Sequence, residues 1–180
     1  MDNELIDVYT EANEATGIIK TRADIHRDGD WHRTVNVYIV DEKMQYLVLL
    51  CPPPKGGDKR IWGNRFGGHV SAGQDYDETP QRELKEEIGL SVAFNDLMPL
   101  GVFSFVRSER NREHVKIFYY IYSGSLEDLI LEPTEVLEVE WMDAEAILES
   151  MRAGTRHWLT TPGDFEFVRS LYEGYQRGKR

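Results

Sequence analysis

A mixed α/β fold is predicted by three features of the chain. Short runs rich in β-branched and aromatic residues lie both before and after residues 67–90. Residues 67–90 themselves pass from a glycine turn into a helical pattern, and the C-terminal part returns to helical periodicity. A length of 180 residues fits one domain with a substantial core.

The elements follow in order. Residues 4–9 read as a strand, 10–16 as a polar turn and 17–21 as a second extended piece, which together predict an N-terminal hairpin. Residues 34–40 (TVNVYIV) form the next strand, 41–45 a turn, and 46–51 a returning strand apolar enough to be buried on both faces. A loop of prolines, glycines and bases follows, with Lys55, Lys59 and Arg60 placed to meet a phosphate or simply to solvate the loop. Asp77 is the expected N-cap of the central helix, Pro80 sits in its first turn, and Gly89 stops it. Leu84 and Ile88 give that helix an apolar side, while Glu83, Glu86 and Glu87, at i, i+3 and i+4, share another face. Residues 97–106 read as a strand, 107–113 (RSERNRE) as a basic loop and 114–122 as a very aromatic strand. Residues 134–141 give a late strand, Asp143 the cap of one helix, and Asp164 the cap of a last amphipathic helix striped with Phe165, Val168, Tyr172 and Tyr175. Residues 176–180 read as a frayed basic tail.

Composition narrows the function. The chain carries 32 acids against 21 bases, a net charge of −11, which argues against nucleic-acid polymers and anionic membranes as partners. A site for phosphate must therefore supply positive charge locally. The single cysteine, Cys51, excludes an intrachain disulfide and fits a reducing compartment. The acidic N-terminus shows no signal peptide, no apolar run is long enough for a membrane span, and the cytoplasm is the expected location. The N-terminal hairpin would allow a homodimer, and nothing in the sequence requires one.

Three like charges on one helix face repel each other, so an ordinary solvated surface is the plain alternative to a site. A hard divalent cation offers the other reading, because Mg²⁺ takes carboxylate oxygens and keeps positions open for water and phosphate. The full stretch resembles the Nudix box, G-x5-E-x7-R-E-U-x-E-E-x-G-U with U a bulky aliphatic residue. Gly68, Arg82, Glu83, Leu84, Glu86, Glu87, Gly89 and Leu90 all fall in place, and Gln74 stands where the family has Glu. Residues 22–33 are similar to a segment found in the Nudix branch that includes isopentenyl-diphosphate isomerases and related hydrolases. There two histidines precede a strand; His32 matches by position, and His26 lies one residue close.

The resemblance implies one Nudix domain over residues 1–180, an α/β/α sandwich with a curved mixed sheet. Residues 1–33 are then hairpin and lead-in, and 67–90 the box. It implies a hydrolase that cleaves the diphosphate linkage of a small molecule such as a nucleoside diphosphate derivative. It also implies Mg²⁺ or Mn²⁺ on Glu83, Glu86 and Glu87 with the Gly68 carbonyl, and Arg82 orienting a glutamate. The water's proton goes to Glu83 or Glu87, with Glu135 next and Glu113 an outsider. Arg65, Arg107, Arg110 and Arg112 are the expected phosphate contacts, because guanidinium forks match phosphate geometry. His26, His32 and His69, with His114, are candidates for a second metal site.

Two other functions are open. The first is isomerisation of isopentenyl diphosphate; that branch uses a cysteine just before the histidine that His69 matches, and here the position is Gly67 or Gly68, while His114 stands where its later glutamate is expected. The second is a Nudix-fold module that binds without cleaving, favoured only by Gln74. The aromatic residues Trp31, Trp62, Phe105, Tyr119 and Trp158 serve equally as substrate platforms or as core.

Overall fold

The computed structural model describes residues 3–53 and 59–179; Lys55 therefore lies outside the described residues. The strands are β1 (Leu5–Tyr9), β2 (Ala15–Thr21), β3 (Trp31–Val40), β4 (Tyr46–Cys51), β5 (Ile61–Gly63), β6 (Met98–Ser108), β7 (Asn111–Ile121) and β8 (Glu138–Met142). The helices are α1 (Arg22–Asp28), α2 (Thr79–Ile88), α3 (Ala144–Ala153) and α4 (Pro162–Gly178). Hydrogen bonding runs β2-β1-β3-β4-β5, with β7 joined to β3 and β6, and β8 joined to β4. The fold is the mixed α/β class that the sequence predicts. Among the described residues no helix is long and apolar enough to cross a membrane.

The chain divides into two compact units, with β3, α2 and β7 passing from one to the other. The first comprises Met1–Val37, Gly67–Glu83 and Val92–Phe118. Here β1 and β2 pair antiparallel, Ile6 opposite Lys20, which is the expected hairpin. Tyr9 pairs with Trp31 at the start of β3. The stretch after Phe66 is tied to both strands: Val35 N–H donates to Gly68 O, Val70 N–H to Arg33 O, and Ala72 N–H to Leu5 O. Ile6, Val8 and Ile25 pack as a buried cluster beneath the hairpin and α1.

The second unit comprises Tyr38–Phe66, Leu84–Ser91 and Tyr119–Arg180. β4 lies between β5 and β8, antiparallel to both, and five of its six residues are buried, as an apolar strand covered on both faces must be. Tyr119 stacks on Tyr172 at 4.4 Å and on Tyr38 at 5.6 Å. Its hydroxyl pairs with that of Tyr46 at 2.7 Å, so two buried polar atoms satisfy each other. Tyr119 is thus core rather than a platform.

Several boundaries differ from expectation. α1 is an added helix: Thr21 Oγ1 accepts from Asp24 N–H, and Gly29 closes it in the left-handed region. Asp77 is not the cap of α2; the helix begins at Thr79, and the Asp77 carboxylate takes Lys116 Nζ at 2.5 Å. Thr161 rather than Asp164 caps α4, with Pro162 in its first turn, and α4 runs to Gly178 through most of the expected tail. The basic loop is a tight turn, because β6 extends to Ser108 and β7 begins at Asn111. The late strand is shorter than residues 134–141, starting at Glu138.

Candidate active site

The carboxylates of α2 are set by one local design. Gly89 has φ +68°, and its N–H donates to Lys85 O while Leu90 N–H reaches Leu84 O, so the helix stops at Ile88. The chain that follows β7 then meets the helix end: Ile130 N–H donates to Ile88 O and Glu132 N–H to Glu87 O. Leu84 and Ile88 are fully buried and fix the rotation of the helix. That rotation leaves Glu86 exposed but holds Glu83 and Glu87 at only 8 % exposure each. Burying an ionised carboxylate is costly unless it is paired or coordinated, so a solvated acidic face does not describe these two residues.

Gly68 explains how Glu83 is accommodated. A Cβ at position 68 would lie 2.7–2.8 Å from the Glu83 carboxylate atoms, so only glycine lets the carboxylate approach this backbone. Arg82 Nη2 bonds Glu83 Oε1 at 2.8 Å and the His69 carbonyl at 3.2 Å. Arg82 therefore orients a glutamate, as expected. The Gly68 carbonyl already accepts from Val35 N–H, which leaves one of its two lone pairs for a ligand role. Gln74, half-buried where the family has Glu, has a buried side-chain oxygen with no hydrogen-bond partner. A carboxylate that abuts a glycine and is aligned by an arginine, on a helix that carries two further glutamates, offers the oxygen donors that a hard divalent cation takes.

Three histidines gather in the first unit. His26 on α1, His32 on β3 and His69 after the glycines have ring centroids 5.0–5.2 Å apart, and their ligand atoms all lie within 4.8 Å of one another. His32 Nδ1 is 3.1 Å from Asp30 O; as donor there it leaves Nε2 as a bare lone pair. Nε2 of His32 and of His69 are both buried without a partner. Burial lowers the pKa of all three, and for His69 burial with Arg22, His32 and His26 nearby pushes it down to about 2. Neutral, close-set imidazoles are what metal ligation needs. His114 does not join them: it is buried, stacked on Trp31 at 4.6 Å, with Nδ1 at Ser104 Oγ and Nε2 at Thr10 O, both 2.8 Å.

The remaining candidates separate. In the second unit, Arg65 Nη1 bonds Thr160 Oγ1 at 3.2 Å. Burial raises the Cys51 thiol to about 11, with Glu87 adding to the rise and Arg65 opposing it, so both side chains lie within electrostatic reach of Cys51. Glu135 is half-buried in the turn three residues after Glu132. In the first unit, Arg107 lies over Phe105 at 4.1 Å with Glu113 at 3.6 Å, Arg110 is exposed at the hairpin turn, and Arg112 is half-buried on β7. The sequence offers no reason to single out Arg22, yet its charge acts on all three histidines.

The α/β scaffold, with buried carboxylates on a helix behind a glycine turn, has counterparts among known proteins. The chain belongs to the Nudix family, since the family model of the NUDIX domain matches residues 30–161. It is 33% identical over 158 residues to Nudix hydrolase 3 of Arabidopsis thaliana, covering 81% of this chain and 20% of that protein. The chain thus spans about a fifth of that relative. It is 24% identical over 166 residues to an isopentenyl-diphosphate Delta-isomerase of Brevibacterium linens, covering 88% of this chain and 86% of that one. A crystal structure of a Deinococcus radiodurans protein superposes with a TM-score of 0.72 at 22% identity, over 94% of this chain and 99% of that one, so the two share a fold.

Proposed function

We propose that this chain hydrolyses the diphosphate linkage of a small phosphorylated metabolite, a nucleoside diphosphate derivative or a similar compound, with Mg²⁺ or Mn²⁺. The observation that carries the reading is the burial of Glu83 and Glu87 together with the glycine abutting Glu83. Glu83, Glu86, Glu87 and the free lone pair of the Gly68 carbonyl would hold the cation. When bound, the ion neutralises phosphate charge and acidifies a coordinated water. Arg82 fixes the orientation of Glu83. Glu83 or Glu87 accepts the proton of the attacking water, with Glu135 the next choice. Arg65 would bind the departing phosphate; its charge, like that of Glu87, acts on Cys51, which supports a place near that glutamate. The basic hairpin is a weaker candidate, because Arg107 is already committed to Phe105 and Glu113.

The isomerase alternative loses support at two positions. A side chain at Gly67 would meet Val35 O at 2.2 Å with φ at +128°, and one at Gly68 would strike the Glu83 carboxylate, so neither site has room for a thiol. His114, where the isomerase glutamate is expected, is enclosed by Trp31, Ser104 and Thr10. The histidine triple supports a second cation site within the same hydrolase reading.

The deciding experiment measures product formation over nucleotides, nucleotide sugars, dinucleoside polyphosphates and isopentenyl diphosphate with Mg²⁺, Mn²⁺ or EDTA. Metal-dependent cleavage that drops by at least about a hundredfold in Glu86→Gln and Glu87→Gln is expected. Wild-type rates in both variants would refute the cation assignment. A substrate that raises the melting temperature without turning over would favour a binding module.

A further inference from the structure

Three polar side chains of the second unit, Asn64, Thr160 and Arg65, form a chain that ends at a half-buried guanidinium. Asn64 is fully buried and Thr160 nearly so, at 4% exposure. They meet because residues 157–160 run along β5: Trp62 N–H donates to His157 O at 2.7 Å, and Leu159 N–H donates to Trp62 O at 2.9 Å. Thr160 Oγ1 donates to Asn64 Oδ1 at 2.9 Å and accepts from Arg65 Nη1 at 3.2 Å. A hydroxyl has a single hydrogen, so the Asn64 oxygen decides how Thr160 is used: the hydrogen goes to Asn64 and a lone pair to the guanidinium. Asn64 Nδ2 is buried without a hydrogen-bond partner. A buried amide N–H left unpaired destabilises a fold, so stability alone gives no reason for asparagine at this position.

We propose that Asn64 and Thr160 are positioning residues, which hold the Arg65 guanidinium in the orientation that receives the departing phosphate. The inference rests on the hydrolase reading above, in which Arg65 is a phosphate contact. A long arginine side chain loses rotamer freedom whenever it binds, and holding it beforehand removes that cost from the encounter with substrate. Thr160 can hold it because its own backbone is fixed on both sides. Leu159 is tied to Trp62, and Thr161 caps α4 by accepting from Asp164 N–H. The contact takes a single N–H of Arg65, and a guanidinium has others for phosphate oxygens. A donor oriented in advance acts most where charge develops as the leaving group departs, so the effect falls on kcat rather than on KM.

Three variants of the full chain test this: Thr160→Val, which keeps the shape without the hydroxyl, Thr160→Ser, which keeps the hydroxyl, and Arg65→Ala. With the panel compound that is cleaved fastest, Thr160→Val is expected to lower kcat about tenfold while KM stays within about twofold, and Thr160→Ser to restore kcat to within about threefold of wild type. Added to Arg65→Ala, Thr160→Val should lower kcat no further, because the two side chains act as one unit. Nitrogen-15 spectra of the Arg65 side chain, assigned by their loss in Arg65→Ala, need no substrate. Guanidinium rotation should be slow in wild type and Thr160→Ser, and fast in Thr160→Val. Equal rotation in wild type and Thr160→Val overturns the proposal whatever the activity, as does a full kcat loss from Thr160→Val once Arg65 is gone. Wild-type kcat in Arg65→Ala, or no turnover of any panel compound, refutes the reading of Arg65 as a phosphate contact and the catalytic role of Thr160 with it, even where rotation still depends on Thr160. Should Thr160→Val not fold, Thr160→Ala takes its place in both measurements.

Discussion

At Gly67 a Cβ would sit 2.2 Å from the Val35 carbonyl oxygen, and φ is +128°. At Gly68 it would sit 2.7 Å from a Glu83 oxygen, with no positive φ. Neighbouring glycines thus serve separate ends, one the backbone path and the other a carboxylate. Gly67→Ala should cost about 3 kcal/mol of stability, from a strained φ and a backbone clash that cannot relax by a rotamer change. Gly68→Ala should leave the melting temperature nearly unchanged but push Glu83 aside, weakening cation affinity at least about tenfold, or about 1.4 kcal/mol. Thermal melts and Mg²⁺ titrations of the pair distinguish the two roles; equal effects on both readouts would contradict them.

The central helix is the most legible element, because its stop glycine, apolar pair and glutamate spacing are all local. Its burial is not legible: nothing in the letters says that Glu86 stays in water while Glu83 and Glu87 do not. That depends on the segment after β7 docking on the helix end. Gly89 is where the two meet, since a Cβ there would lie 2.8 Å from Ile130 Cβ at φ +68°. Gly89→Ala should therefore lower the urea midpoint by about 1–2 kcal/mol equivalent and loosen Glu87, reducing activity in proportion. A midpoint equal to wild type would mean the segment does not hold the helix. α1 escapes a reading of the sequence for the opposite reason. Its residues, RADIHRD, bury only Ile25 and show no apolar period, although Thr21 and Gly29 mark both of its ends. This turn brings His26, one residue out of step in the sequence, to His32 and His69. At α4 the signals compete: both Thr161 and Asp164 are good caps, and Pro162 in the first turn decides for Thr161.

For the molecule as a whole, acid acts in two opposing directions. Lowering the pH neutralises carboxylates and relieves the self-repulsion of a chain at −11, which favours the compact state. The histidine triple opposes this. Its rings are neutral when folded because burial lowers their pKa below the ordinary 6.5. Between 6.5 and those lowered values the unfolded chain binds protons that the folded chain does not, so stability falls as pH falls. One such group contributes at most about 1.4 kcal/mol per pH unit. The loss should begin near pH 6.5 in EDTA and continue to lower pH, because His69 lies at about 2. His69→Gln removes one proton acceptor from the unfolded chain, so its melting temperature should decline less steeply than that of wild type from about pH 7 to about pH 5. Subtracting the two curves cancels the shared carboxylate response. Parallel curves would show that the triple does not govern acid stability. A cation that binds the triple should flatten the wild-type curve near neutrality and lose its hold as protons compete for the same nitrogens.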